Sequence, residues 1–301
     1  KLSDIAIPHD KLAQLQVNLV RSHAAGVGPE LPEREVRAMM LLRANVIAKG
    51  FSGARPELPE LICAMLNAGL WPVVREQGSV GASGDLAPLA AIALTLIGEE
   101  ELNTPDGHRL PAADALLASG LRPLILGPKE GITLINGTQA HTAVAALAVV
   151  DARVLWETAH TAGAMTLEAL LGTPVAFDAR IHEARGQEGQ SASAARLRAL
   201  LADSPLRDSH RANDPRVQDA YALRCMPQVH GPVLDAIRFA EGIIERELNA
   251  ATDNPLVFDN GDMLSGGNFH GQAVAMALDF LAIVMTNLAT SLTRAGHPEE
   301  A

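Results

Sequence analysis

Three features of this chain predict a mainly α fold: a bundle of long helices with a functional loop region and one minor hairpin. Aromatic residues make up only 3% of the 301 residues, while Ala and Leu dominate a hydrophobic fraction of 48%. Close-packed helices favour that composition; sheets favour β-branched and aromatic side chains. Apolar residues recur at helical spacing along much of the chain, with Gly and Pro as punctuation. Finally, Thr138 to Leu171 runs without proline and with Gly163 as its one glycine. A helix so long, and apolar around most of its circumference, has to be buried among others.

The elements follow in order. From Asp10, residues Leu12, Leu15, Leu19 and Val20 keep helical spacing until Gly26 and Gly28. Pro32 suits the first turn of a second helix that carries Val36, Met39, Met40 and Ile47 and ends at Gly50. A third spans about Pro59 to Leu70, closed by Pro72, and its Cys63 is expected to act as a small buried hydrophobe. After a glycine-rich stretch at 78–84, Leu86 to Ile97 is helical again. Thr104-Pro105-Asp106-Gly107 marks a turn between short extended pieces. Beyond the long helix, 173–230 is polar and weakly periodic, which is the mark of a loop region that carries function. Two helices close the chain, over about Pro232 to Ala251 and Phe269 to Thr293. With no repeat and no linker, 1–301 is expected to be a single helical domain.

Twenty-four basic against 35 acidic side chains give a net charge of -11. That sign repels phosphate backbones, so no nucleic-acid partner is expected. The two cysteines, Cys63 and Cys225, lie far apart with no metal-ligand spacing. A reducing cytoplasmic setting and no metal site are the expectation. No run of 18 uninterrupted apolar residues occurs and Lys1 to Pro8 holds no apolar leader, so neither a membrane span nor a signal peptide is expected.

Chemistry concentrates in Gly78-Ser79-Val80-Gly81-Ala82-Ser83-Gly84-Asp85-Leu86-Ala87-Pro88-Leu89. One reading is a Gly/Ser turn before a helix, with Asp85 as N-cap and Pro88 in the first turn. That reading uses one glycine, whereas the string has three at intervals of three. The other reading is chemical. Gly84 has no side chain, so its amide nitrogen can fold back onto the Ala82 carbonyl carbon in a bend closed to other residues. Loss of one water closes a five-membered ring, and loss of a second from Ser83 leaves an exocyclic methylene. The product, 4-methylidene-imidazol-5-one, is an electrophile that no standard side chain supplies.

This string closely resembles the signature of the histidine and aromatic amino acid ammonia-lyases. The resemblance extends along nearly the whole chain, in order. It includes Ser22-His23-Ala24-Ala25-Gly26, Gly50-Phe51-Ser52-Gly53, Leu134-Ile135-Asn136-Gly137-Thr138-Gln139, and Phe177-Asp178-Ala179-Arg180. It continues with the run from Val217 through Gln218, Tyr221 and Arg224 to Cys225, then Asp253-Asn254-Pro255-Leu256 and Ser265-Gly266-Gly267-Asn268-Phe269-His270. The resemblance implies a long-helix bundle of the ammonia-lyase/fumarase-like type. It also implies a homotetramer with active sites built from more than one chain, and an amino acid as substrate.

The resemblance also implies roles. Ala82, Ser83 and Gly84 would form the ring, and Asn136 would hold its carbonyl oxygen; Asn136-Gly137 alone reads equally well as a turn. Gln218 and Tyr221 would hydrogen-bond substrate and ring, although the chain's one tyrosine could be a core anchor. Arg224 would grip the substrate carboxylate with its planar fork; a structural ion pair is the alternative. Phe269 would wall the pocket, or simply pack. His23 would meet the substrate's side chain, and the pair Ser22-His23 is typical of histidine-specific members, although a lone histidine can equally be a structural donor. Conversion of L-histidine to trans-urocanate and ammonia is then the expected reaction. An aromatic lyase, an aminomutase and a non-catalytic helical assembly fragment are the alternatives. Family members are longer: an upstream catalytic tyrosine loop and a C-terminal third lie outside this chain, so 1–301 is expected to be a core fragment.

Overall fold

The computed structural model describes residues 7–81, 84–212, 214 and 216–295. Helices dominate. After a 3-10 turn at His9–Lys11, the first part of the chain forms α1 (Leu12–His23), α2 (Glu33–Ala48), α3 (Glu57–Asn67), α4 (Leu86–Leu96), α5 (Ala112–Ala118) and α6 (Glu130–Ile135). The long periodic segment is α7 (Gln139–Ala169), as its uninterrupted pattern predicts. Next come α8 (Ala179–Arg185), α9 (Glu188–Leu200), α10 (Pro205–Ser209), α11 (Tyr221–Arg224), α12 (Met226–Leu248) and α13 (Gln272–Ala295). Short strands fill the gaps: β1 (Val27–Glu30), β2 (Trp71–Pro72), β3 (Arg75–Gln77), β4 (Glu101–Asn103), β5 (Arg109–Pro111), β6 (Leu256–Val257) and β7 (Met263–Leu264). The hairpin expected around Thr104–Gly107 is β4–β5, antiparallel, with Leu102 opposite Leu110.

The chain folds as two compact units. One holds the described residues up to Leu147 together with Ile244–Ala275; the other holds the described residues of Ala148–Ile243 and those from Met276 onward. In the first unit α2 packs on α3, and α1 on α4 and α6. Val36, Met39, Met40, Leu58, Ile62, Met65, Leu89 and Leu96 make its core. Helix α4 is buried on nearly every side, which fits its almost wholly apolar sequence.

Three expectations need correction. Cys63 is exposed. Leu58, Leu61, Ile62 and Met65 take the buried face of α3, and position 63 falls on the opposite side of a helix that the local apolar run disguised. The polar stretch 173–230 is largely helical, in short pieces. Its helices are set by caps, not by periodicity. Asp178 accepts from Arg180 N at 3.0 Å to start α8, Gly186 ends it at φ 75°, and Ser204 accepts from Arg207 N at 3.1 Å to start α10. The arginine that Asp178 caps also holds its carboxyl well below the usual carboxylate range. Pro232 does not begin a helix but lies inside α12.

The second unit has its own core: Ala164, Leu167, Phe177, Ala194, Leu197, Leu223 and Met226. Gly163 is there because a Cβ would stand 2.5 Å from Met226 Sδ. Beside it lies a buried polar group. His160 bonds Trp156 O through Nδ1 at 2.8 Å and Ser193 Oγ through Nε2 at 2.6 Å. Its ring meets the His230 ring edge-to-face, 4.8 Å between centroids. His230 is 0% exposed and neither ring nitrogen has a hydrogen-bond partner. Burial pushes its pKa down to about 3, with His160 adding to the shift, and burial also lowers His160.

The unfolded chain therefore takes up a proton on His230 as pH falls below about 6.5, while the folded chain does not until about pH 3. Stability should be fully present above pH 6.5 and fall as pH drops through that window. The urea midpoint measured at pH 5 should lie below that at pH 7.5, and His230→Leu, which removes two unpartnered nitrogens, should shrink the difference. An equal pH dependence in the variant would show that other groups carry it.

Candidate active site

Two clusters of the expected residues can be built from the backbone upward, one in each unit. In the first, Gly84 sits at φ +86°, a conformation that L side chains rarely adopt. A Cβ there would lie 2.8 Å from Gly137 N, 3.0 Å from Gly137 O and 3.2 Å from Asn136 Oδ1. Only glycine fits, on both counts. Asp85 N donates to Gly137 O at 2.7 Å, so the end of the signature is pinned to the Asn136-Gly137 turn. Asn136 is itself buried, and its Nδ2 donates to Asn254 O at 3.1 Å. Ala82 and Ser83, the other two ring residues expected, lie outside the described residues.

That turn is held from below by Arg43, which is 0% exposed. Its guanidinium donates to Thr133 O, to Asn136 O at 3.1 Å and to Gln139 Oε1 at 2.6 Å. The first two are carbonyls at the end of α6, which has no further turn to satisfy them. Burial lowers the Arg43 pKa to about 10, with the Asp253 carboxylate opposing the shift, so the group stays charged at neutral pH. Lys129 adds a second, half-buried cation: its Nζ donates to Ser52 O at 2.7 Å and Thr133 Oγ1 at 3.1 Å, and pairs with Asp253 at 3.5 Å. Burial lowers its pKa too.

These contacts tie together motifs far apart in sequence. Ser52, of the 50–53 motif, accepts from Lys129 and Thr133 at the two ends of the first turn of α6, and Asn254, of the 253–256 motif, accepts from Asn136. Asn254 Oδ1 in turn accepts from Gly266 N at 2.6 Å, which ties down the 265–270 motif. Gly271 N donates to Gly81 O at 2.9 Å and closes the circle on the signature.

Phe269, half-buried, stands two residues from that last bond. His23 ends α1, with Nδ1 2.7 Å from Leu19 O, a bond that places its proton on Nδ1 and leaves a lone pair on Nε2. The chain then turns at Gly26, whose Cα would lie 3.4 Å from a Cβ on Gly78. A hydrogen bond thus joins Asp85, next to Gly84, to Gly137, next to Asn136, while His23 and Phe269 lie on the segments that meet the signature at Gly78 and Gly81.

The second cluster surrounds a cavity of about 470 Å³ in the other unit. Gln218, Arg224 and Gln228 are among its lining residues, with Arg207 and Thr173. Tyr221 is 70% exposed, and its ring lies under the Arg224 guanidinium, 5.8 Å from the ring centre. Arg216, also at the cavity, is committed to Asp214 and to Leu170 O. Arg224 differs: its Nε is buried with no hydrogen-bond partner. Asp219 fixes the loop by accepting from Thr173 N at 2.6 Å.

Sequence reasoning passed over Arg43, Lys129 and His141, and gave Asp85 only a capping role. Asp85 does occupy the N-cap of α4, yet its side chain makes no cap bond. Its carboxylate, 0% exposed, instead accepts from Ser79 Oγ, from His141 N at 2.9 Å and from His141 Nδ1 at 2.8 Å. The signal for Arg43 was an arginine in the run between apolar residues that the helical period places on the buried face of α2.

The fold is that of ammonia-lyases and aminomutases. Histidine ammonia-lyase from Trypanosoma cruzi matches with a TM-score of 0.89 at 43% identity, over 98% of this chain and 55% of that one. Tyrosine aminomutase from Streptomyces globisporus matches with a TM-score of 0.88 at 40% identity, over 95% of this chain and 57% of that one. The chain belongs to the aromatic amino acid lyase family, whose sequence model matches residues 1–295. Histidine ammonia-lyase from Anaeromyxobacter sp. strain K is 57% identical over 296 residues, 96% of this chain. The chain spans 58% of that relative's length.

Proposed function

We propose that this protein is an ammonia-lyase that converts L-histidine to trans-urocanate and ammonia, with an electrophile formed from Ala82, Ser83 and Gly84. The observation that carries the reading is the left-handed Gly84 wedged against Asn136 and Gly137, where any side chain would collide. That cradle fits a five-membered ring closed through the Gly84 nitrogen, with Asn136 to stabilise charge on its oxygen. The ring would supply the electron sink that makes a poor leaving group depart. The chain's own residues would do the rest. Arg224, with an unused buried Nε, takes the substrate carboxylate. Because the active sites of the assembly would be built from more than one chain, Gln218 and Tyr221, with Arg224, would reach the substrate and ring of another subunit, and Phe269 would wall the pocket. The His23 Nε2 lone pair accepts from the substrate imidazole N–H, a contact that an apolar side chain there could not make. The Ser22-His23 pair and the histidine ammonia-lyases among its relatives favour histidine over tyrosine or phenylalanine.

The same reading includes assembly as a homotetramer. In the second unit, α7 exposes Val150, Val154 and Met165, α12 exposes Phe239, and α13 exposes Met276, Phe280 and Ile283. Helix α13 is apolar enough over Gln272–Thr290 to suit a membrane by length and composition. Burial between subunits explains the same surface, since exposed apolar patches of this extent mark interfaces.

Two measurements test these proposals. Urocanate absorbance should appear when the purified protein meets L-histidine, and Arg224→Lys should lower kcat/KM by about 10- to 100-fold, because a point charge loses the bidentate contact. Cinnamate or coumarate formed in preference to urocanate would overturn the choice of histidine, and unchanged kinetics in the variant would overturn the role of Arg224. Light scattering should give four times the chain mass, and Phe280→Glu should lower it; a monomeric wild type would refute the assembly.

A further inference from the structure

Asp85 and His141 form a dyad that neither capping nor substrate binding explains. The Asp85 carboxylate is fully buried and surrounded by donors: the Ser79 hydroxyl, the His141 backbone N–H and His141 Nδ1. As an anion it can only accept, so the His141 proton sits on Nδ1 and the lone pair on Nε2. That nitrogen is buried and has no hydrogen-bond partner. An oriented imidazole with an unused lone pair is the arrangement of an acid–base group held by a carboxylate.

Its surroundings say what it faces. A Cβ on Gly271 would stand 2.5 Å from Nε2, so the ring leans on a residue that has no side chain to block it. Gly81, the residue before Ala82, accepts from Gly271 N, and Asp85, the residue after Gly84, donates its N–H to Gly137 O. The residues that flank the tripeptide on both sides are therefore pinned next to the dyad, to which Asp85 itself belongs.

We propose that His141, oriented by Asp85, is the proton acceptor for formation of the ring at 82–84, an inference that rests on the functional reading above. Ring closure forms the bond from Gly84 N to the Ala82 carbonyl carbon. The Ala82 oxygen leaves as water with the amide protons of Ser83 and Gly84. The second step breaks the Ser83 Cα–H and Cβ–O bonds, and the C–H electron pair becomes the Cα=Cβ bond as a second water leaves. In each step His141 Nε2 takes a proton and returns it to the departing oxygen, so the dyad ends unchanged and no oxidant is needed. Asp85 is a positioning residue.

The test follows the intact mass of freshly synthesised protein with time. Wild type should lose two waters. His141→Asn keeps a donor toward Asp85 but has no base, and should mature at least about 100-fold more slowly. Added imidazole should restore part of the rate, which a merely structural role would not allow. Gly271→Ala, which crowds Nε2 and leaves the histidine in place, should also slow maturation and serves if the asparagine variant fails to fold. Loss of both waters at the wild-type rate in folded His141→Asn or in Gly271→Ala would overturn the role of His141 while leaving the ammonia-lyase reading intact. A wild-type protein that never loses the waters would instead overturn the reading itself.

Discussion

The buried guanidinium of Arg43 is the interaction on which the candidate site in the first unit depends. A cation taken wholly out of water is costly unless its donors find acceptors, and a few kcal/mol per ion is the usual scale. Here the acceptors are the main-chain oxygens of Thr133 and Asn136 and the Gln139 amide oxygen. The two terminal nitrogens of Arg43 thus find acceptors in the same carbonyls that the end of α6 leaves open. This arrangement leaves Asn136 and Gly137 extended outward before α7 begins, where they form the surface that Gly84 rests on. Lys129 and Asp253 repeat the device one layer away, and Asp253 contributes to both cations.

A glycine at φ +86° against a second backbone leaves no room for any other residue. It gains meaning from chemistry in which the missing side chain gives the amide nitrogen room to react. The same economy appears at Gly271, where the absent side chain leaves room for the His141 ring. The residues that flank the proposed electrophile, Gly81 and Asp85, make polar main-chain contacts, while helix α4 behind them is fixed by apolar burial.

Much of this was legible in the sequence. The long α7, the β4–β5 hairpin and the helical class follow from periodicity, composition and turn chemistry, which act locally. Gly84 and Asn136 were legible through their motifs, and they are neighbours. What was not legible depends on long-range packing. Cys63 looked buried because its neighbours are apolar, yet the side of α3 that faces the core is decided by α2. The short helices of 173–230 were hidden because caps such as Ser204 and Asp178 leave no periodic trace. Asp85 read as a cap because its position is a cap position; its partner His141 lies 56 residues away, and no local rule connects them.

The central claim is that the chain converts its own backbone at 82–84 into the reactive group, and a mass measurement at residue level tests it most directly. Trypsin should release the segment 76–109 from the mature protein, and fragmentation should place a deficit of two water molecules within Ala82-Ser83-Gly84. Full residue masses across those three positions in folded, mature protein would contradict the account.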